Sequence, residues 1–228
     1  MVHVREVVDR PYPAFASRAD AGRQLAEFLL EKEASADVII AVPSGGVAVG
    51  RALAEQLGAP FDMILVRKLP LPAEPEAGFG AATLHGEVAL NDALVAACEL
   101  SEEDIRAVIL RVMGELRQRQ ARFLAGRPCP DPAGKDVLVV DDGLASGFTM
   151  QVAVRELQRR EPHSLSVAVP DAPLSTVKAI EPLVDDLYCL VGQRRGPFAV
   201  ASFYAEWHDL TDGEVMELLC GRLPRPGR

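Results

Sequence analysis

Residues 137–149 constrain the fold of this 228-residue chain more than any other segment. Four apolar residues at 137–140 lead into Asp141 and Asp142, a turn of small residues, and a helix-like stretch over 149–160. A short apolar run without polar alternation is typical of a strand that is buried on both faces. Such strands occur in parallel sheets covered by helices on each side, so the segment predicts an α/β fold.

Strand-like and helix-like segments alternate along most of the remaining chain. Further strands are predicted over 38–42, 61–66, 165–169 and 187–190. Helices are predicted after the capping residue Ser17, over 47–57, from Ser101 to about Leu124, and from a capping box at 211–214. This alternation predicts a mostly parallel, doubly wound sheet in one domain, 1–228.

Two stretches depart from the alternation. Residues 69–135 begin with prolines and glycines, contain a candidate hairpin around His85 and Gly86, and end in the long helix. We interpret 69–135 as an excursion from the sheet rather than as a second domain. Residues 191–219 are interpreted as a possible small C-terminal hood.

The turn after the central strand has the composition of a sugar and phosphate site. Ligands of open parallel sheets bind beyond the carboxyl ends of the strands, where Asp141 and Asp142 stand. A helix start offers N–H groups to a phosphate monoester, here with the small or hydroxyl residues Gly143, Ala145, Ser146, Gly147 and Thr149. The two carboxylates suit ribose hydroxyls, directly or through metal-bound water. The plainer alternative is a strand end followed by an ordinary turn.

The charge balance limits the classes of partner. With 24 basic and 33 acidic residues, the net charge is −9, which argues against non-specific nucleic-acid binding and against an anionic membrane surface. The four cysteines form no C-x-x-C pair, so reduced thiols are expected rather than a zinc site. The first ten residues lack an apolar signal core, and a cytoplasmic protein is expected.

Residues 137–149 resemble the signature of the type I phosphoribosyltransferases, which bind phosphoribosyl pyrophosphate. Two further segments support this resemblance: Ser44, Gly45, Gly46 and Val47 look like that family's pyrophosphate loop, and Arg67 and Lys68 follow the next predicted strand. Segments at 20–26, 66–69, 76–81 and 203–204 are similar to a bacterial and archaeal branch with an undefined acceptor. In all, the resemblance covers about 15–219.

The resemblance implies transfer of a 5-phosphoribosyl group from phosphoribosyl pyrophosphate to a nitrogen acceptor, a nucleobase-like molecule, with release of pyrophosphate. It implies that Asp141, Asp142, Arg67 and Lys68 act in catalysis, and that Mg²⁺ is held mainly by the substrate near the two aspartates. It also implies a homodimer and a mobile cover, for which 72–91 is the candidate. Ser44 stands where the branch usually has arginine, which removes a bidentate phosphate donor.

Several alternatives remain open from the sequence. A regulator of the same fold could bind phosphoribosyl pyrophosphate without turning it over, and a degenerate scaffold could bind a nucleoside monophosphate. The stretch 45–52 misses the Lys-Ser/Thr pair of a nucleotide-binding P-loop. Phe198, Phe203, Tyr204 and Trp207 either pack around the final strand or cover a planar base.

Overall fold

A computed structural model describes residues 1–72, 74, 77–123 and 131–221. Leu124 and positions 73, 75, 76 and 125–130 of the predicted excursion lie outside the described residues, as do positions 222–228 of the predicted domain.

Nine strands lie in two sheets within the described part of the chain. The strands are β1 (Val2–Val8), β2 (Val38–Ala41), β3 (Phe61–Met63), β4 (Val66–Pro70), β5 (Gly78–Thr83), β6 (Val88–Leu90), β7 (Asp136–Val140), β8 (Ser164–Pro173) and β9 (Asp186–Gln193). The larger sheet has the order β1-β9-β8-β7-β2-β3, and every pair in it is parallel. This confirms the predicted mostly parallel α/β fold with an excursion.

Helices cover the larger sheet and extend beyond it. They are α1 (Arg18–Glu31), α2 (Gly45–Leu57), α3 (Asp92–Ala97), α4 (Glu102–Phe123), α5 (Phe148–Gln158), α6 (Leu174–Ile180) and α7 (Asp212–Cys220). The caps expected at Ser17 and Thr211 are present, and Thr211 forms a reciprocal capping box with Glu214. The sequence patterns missed the short helices α3 and α6.

Strand β1 was also missed, because it lies at the edge of the large sheet. Among the described strands it pairs with β9 alone, in the register His3 with Tyr188 and Glu6 with Val191. Charged residues such as Arg5 and Glu6 interrupt its apolar residues and leave much of the strand exposed. Charges on an edge strand protect it against pairing with other chains, and here they also hide the strand pattern.

The strand predicted over 61–66 is wrong in its bounds. It is two strands, since β3 ends at Met63 in the large sheet and β4 begins at Val66 in the small one. The apolar run continues from Met63 to Val66 because Ile64 and Leu65, which link the two sheets, are themselves buried. Arg67 and Lys68 consequently lie within β4 rather than beyond the end of a strand.

The excursion is built around the antiparallel sheet β4-β5-β6. Gly80 pairs with Leu90 and Ala82 with Val88, which confirms the hairpin around His85 and Gly86. Helix α4 packs its buried residues Val112 and Leu116 into the same apolar cluster as Phe79 of β5. Residues 78–83 and 88–90 are paired strands, and the role of 72–91 as a mobile cover stays a prediction.

Among the helices of the described residues, none combines the length and the apolar composition needed to cross a membrane.

Candidate functional site

The site lies where the neighbouring parallel strands β2 and β7 end. Ala41 pairs with Val140 in the last register position of these strands. The chain then continues into the segment Ser44–Val47 from β2 and into Asp141 and Asp142 from β7. Since carboxyl ends of parallel strands meet at one edge of the sheet, this pairing brings two predicted segments side by side.

Gly45 and Gly46 make that close approach possible. A Cβ atom on Gly45 would lie 1.7 Å from Oδ2 of Asp142, and one on Gly46 would lie 2.8 Å from the Cα of Asp141. No larger residue fits such spaces without displacing the aspartates. Helix α2 begins at Gly45, and the preceding Pro43–Ser44 peptide bond is cis. The predicted pyrophosphate loop therefore packs directly on the two acids.

Both carboxyl groups are withdrawn from solvent. Asp141 is buried, and its Oδ1 accepts a hydrogen bond of 2.8 Å from the backbone N–H of Asp142. Burial, and then the neighbouring Asp142 charge, raise the pKa of Asp141 well above its ordinary value. Burial also raises the pKa of Asp142, against the opposing effect of Arg18. Keeping both carboxyl groups ionised is therefore unfavourable, and a ligand hydroxyl or a cation at the pair would favour the ionised form.

Arg18 is a residue of the site that the sequence analysis missed. Its Nε donates to Oδ2 of Asp142 at 2.7 Å, and only 8% of its side chain is exposed. Its Nη1 donates to the carbonyl oxygen of His208 at 2.7 Å, and its guanidinium stacks 3.8 Å from the ring centroid of Trp207. The available signal was an arginine at the first position of α1, where the helix dipole disfavours a cation.

Aromatic residues near the C-terminus connect the predicted hood with the two acids. Phe203 and Tyr204 are buried, and the Tyr204 hydroxyl donates to the carbonyl oxygen of Asp142 at 2.6 Å. Ring contacts link Phe198 with Phe203, and Tyr204 with Trp207. These contacts support the packing interpretation for Phe198, Phe203 and Tyr204. That the cluster also covers a planar base stays a prediction.

The predicted phosphate loop turns sharply at the start of α5. Gly147 has a φ of +79°, and Thr176 of α6 donates its hydroxyl to the carbonyl oxygen of Ala145 at 2.7 Å. Ala145 and Ser146 are exposed, so a ligand can reach them. The first N–H groups of a helix have no partner within it, which leaves those at the start of α5 available to an anion.

A third acid, Asp171, lies behind this loop and was not identified from sequence. A Cβ on Gly143 would lie 2.7 Å from its Oδ1, and its backbone carbonyl accepts from the N–H of Leu144 at 2.9 Å. The side chain is fully buried, and neither carboxyl oxygen has a hydrogen-bond partner in the described structure. Burial, followed by the Asp142 charge, raises its pKa well above the ordinary value.

A basic cavity of about 480 Å³ lies beside the loop that begins at Ser44. Ser44 and Thr149 line it together with Arg67 and Lys68 of β4. The opposite wall is α4, which contributes Arg111, Glu115 and Arg119. The structure thus gathers four of the predicted site residues in one cavity and adds two arginines that the sequence analysis did not select.

Asp141 and Asp142 could contribute oxygen ligands to the expected magnesium ion. Mg²⁺ prefers oxygen ligands and is usually bound by one or two carboxylates together with substrate phosphates. Asp141 and Asp142 supply such oxygens. Across the described ranges, no group of three or more His, Cys, Asp or Glu side chains could hold a metal on its own. That a magnesium ion binds here together with a phosphate-bearing substrate stays a prediction.

Comparison with known proteins identifies the class. Residues 14–193 match the phosphoribosyl transferase domain family, which is most of the chain and includes both strand ends of the site. This protein belongs to that family.

The similar proteins extend the match beyond the family domain. Two Mycobacterium tuberculosis proteins named as candidate phosphoribosyl transferases, MT0597 and Rv0571c, are each 35% identical over 205 residues. The match covers 90% of this chain but only 46% of each relative's length. The crystal structure of TT1426 from Thermus thermophilus is 31% identical, with a TM-score of 0.72, covering 90% of this chain and 97% of that one.

Proposed function

We propose that this protein transfers the 5-phosphoribosyl group of phosphoribosyl pyrophosphate to a nitrogen atom of a nucleobase-like acceptor, releasing pyrophosphate. The observation that carries the proposal is the packing of Gly45 and Gly46 against Asp141 and Asp142. A segment suited to a diphosphate and a segment suited to a sugar phosphate are thereby in direct contact. The family membership and the basic cavity beside this contact support the same reaction.

The substrate has three parts, and the chain offers a different surface to each. Its 5′-phosphate would bind the loop from Gly143 to Thr149, through N–H groups at the start of α5 and the hydroxyls of Ser146 and Thr149. The ribose hydroxyls would lie against Asp141 and Asp142. The diphosphate would enter the basic cavity, facing Arg67, Lys68 and the neutral segment from Ser44 to Val47. In that segment the Val47 N–H already donates to the carbonyl oxygen of Ser44 at 3.2 Å.

The chemical step requires stabilisation of separated charge. As the bond between the anomeric carbon and pyrophosphate breaks, positive charge develops on the ribose ring and negative charge on the leaving group. Asp141 and Asp142 stabilise the first, and Arg67 and Lys68 the second, with groups already in place before the reaction. A magnesium ion bound with the substrate would add charge neutralisation at the diphosphate.

Arg18 and Tyr204 are assigned as positioning residues. They hold the side chain and the backbone carbonyl of Asp142, at 2.7 Å and 2.6 Å. Orientation of this kind matters because a displacement of about 1 Å in an active site can lower a rate roughly 100-fold. The hood is consequently coupled to the acids even without contact to the substrate.

A pyrophosphate-release assay tests the proposal. The protein is incubated with Mg²⁺, phosphoribosyl pyrophosphate and a panel of purine and pyrimidine bases, and ligand binding is followed by thermal shift. We expect release with at least one base, and a loss of at least about 100-fold when Asp141→Asn and Asp142→Asn are combined. The matched control combines Glu102→Gln with Glu103→Gln, which removes two exposed acids from the start of α4 and should leave release unchanged.

Two results would overturn parts of the proposal. Clear binding of phosphoribosyl pyrophosphate without release on any base would reject the transferase and favour a non-catalytic regulator of the same fold. Full activity in the double Asp→Asn variant would reject the role given to the two acids.

A further inference from the structure

The wall of the basic cavity formed by α4 carries a row of charged side chains. Arg111, Glu115 and Arg119 are spaced four residues apart, so they share one face of the helix. That face lines the cavity together with Arg67 and Lys68 of β4, and Ser44 and Thr149 also line it. The cavity is therefore basic on two walls.

The positive charge in this cavity exceeds the negative charge. Among the described residues that line it, four are cationic and Glu115 is the single carboxylate. Glu115 is held by Arg67, with a distance of 2.6 Å between Oε2 and Nε. In a chain with a net charge of −9, this local excess indicates a site for an anion.

The two α4 arginines differ in their contacts inside the protein. Arg111 is exposed and makes no hydrogen bond or ion pair within the described residues. Arg119 lies 3.6 Å from Asp212, but the same carboxylate forms a closer pair with Arg122 at 2.5 Å. Partial burial, and then the charge of Arg67, lower the pKa of Arg119, which places these two cations in each other's field.

The segment from Ser44 to Val47 cannot supply charge to this cavity through its side chains. It contains a serine, two glycines and a valine, and the Val47 side chain is buried in the apolar cluster of the small sheet. A diphosphate entering here must be neutralised by other residues. Arginine suits this role because its planar guanidinium can donate two parallel hydrogen bonds to phosphate oxygens.

We propose that Arg111 and Arg119 of α4 bind the diphosphate group, and that the basic cavity binds inorganic pyrophosphate by itself. The excursion then forms one half of a binding site rather than a cover alone. This inference rests on the proposed function for the identity of the anion, but it concerns binding and not turnover.

Isothermal titration of the full chain tests the inference. Inorganic pyrophosphate, phosphoribosyl pyrophosphate, ribose 5-phosphate and inorganic phosphate are titrated with and without Mg²⁺. We expect Arg111→Gln and Arg119→Gln each to weaken binding of pyrophosphate and phosphoribosyl pyrophosphate about ten-fold, the usual effect of losing a charged hydrogen bond. Ribose 5-phosphate should bind all variants equally, because it lacks the diphosphate.

Arg117→Gln is the matched control. Arg117 is exposed and does not line the cavity, and its substitution removes the same charge from the same helix. Arg119→Lys adds a second test, since it keeps the charge and loses the fork, and intermediate binding is expected. Because Arg119→Lys keeps a cation beside Asp212, weaker binding by this variant is not explained by an effect of that contact on folding.

The inference is overturned if the parent protein does not bind pyrophosphate, or if Arg111→Gln and Arg119→Gln bind it as tightly as Arg117→Gln does. An equal loss for ribose 5-phosphate would also overturn it. Measurement of pyrophosphate release distinguishes this inference from the proposed function. Release that the α4 variants do not affect would support the transferase and reject this site. Diphosphate binding without release would support this site and reject the transferase.

Discussion

The two sides of the candidate site are built in contrasting ways. Asp141 and Asp142 are short side chains at the end of a core strand, and they are fixed by Arg18 and by glycines that pack on them. The basic cavity is lined by long side chains from an added sheet and helix, and its Arg67–Glu115 pair is about one-third exposed. The acids are therefore preorganised at a cost in stability, whereas the Arg67–Glu115 pair keeps its contact with water.

This contrast implies that substitutions on the two sides have different consequences. Changes around the acids should alter folding stability as well as function, because charge is buried there. Changes in the basic cavity should alter binding and leave folding almost unaffected.

The largest expected difference is in the free energy of unfolding, between variants of two arginines whose ion pairs have similar lengths. Arg18→Gln leaves Asp142 without its cation in a buried site, so unfolding should become easier by about 3 kcal/mol. Arg67→Gln removes a partly exposed pair and should cost less than about 1 kcal/mol. Urea denaturation of both variants measures the difference. Equal losses would contradict the contrast between the two sides.

A smaller effect on stability is expected when one methyl group is added to a glycine that packs on the two acids. In Gly45→Ala the new Cβ would displace the Asp142 carboxylate, which should cost about 1–3 kcal/mol and lower pyrophosphate release. Gly114→Ala is the control on α4, where nothing lies within 4 Å and alanine should stabilise by about 0.5–1 kcal/mol. Thermal unfolding measures both the stability loss expected for Gly45→Ala and the stability gain expected for Gly114→Ala. A stable and active Gly45→Ala protein would show that the loop does not need this contact.

The last expected effect is a change in the pH dependence of folding stability, which is small over any one pH unit. The pKa of Asp171 is higher in the folded protein than in the unfolded chain, so the folded state holds a proton that the unfolded state loses above about pH 4. Stability due to this group is complete below that pH and falls as the pH rises, by at most about 1.4 kcal/mol per pH unit.

Asp171→Asn removes this group's contribution. The variant should therefore gain stability relative to the parent as the pH is raised from 5 to 8, measured by urea denaturation. Parallel pH profiles for the two proteins would show that Asp171 does not titrate in this way. Asp209→Asn is the control, because Asp209 is exposed. Asp185→Asn is unsuitable because that side chain accepts a hydrogen bond from the N–H of Leu165.

Part of this site could be predicted from sequence because its signals are local. A strand, two acids, a small-residue turn and a helix follow one another within residues 137–149, and the glycines after β2 lie within a few positions of the strand end. Two parallel strands with such ends must place them on one edge of the sheet. Arg18 could not be found this way, since its partner Asp142 is 124 positions away.

Local sequence patterns are sufficient to predict the fold class and the acid and glycine segments of the candidate site. Only the tertiary structure decided that 61–66 divides between two sheets, that β1 closes the edge, and that α4 turns Arg111 and Arg119 toward the cavity. The physical reason is that periodicity reports whether a residue is buried, whereas the partner against which it is buried depends on contacts between distant segments.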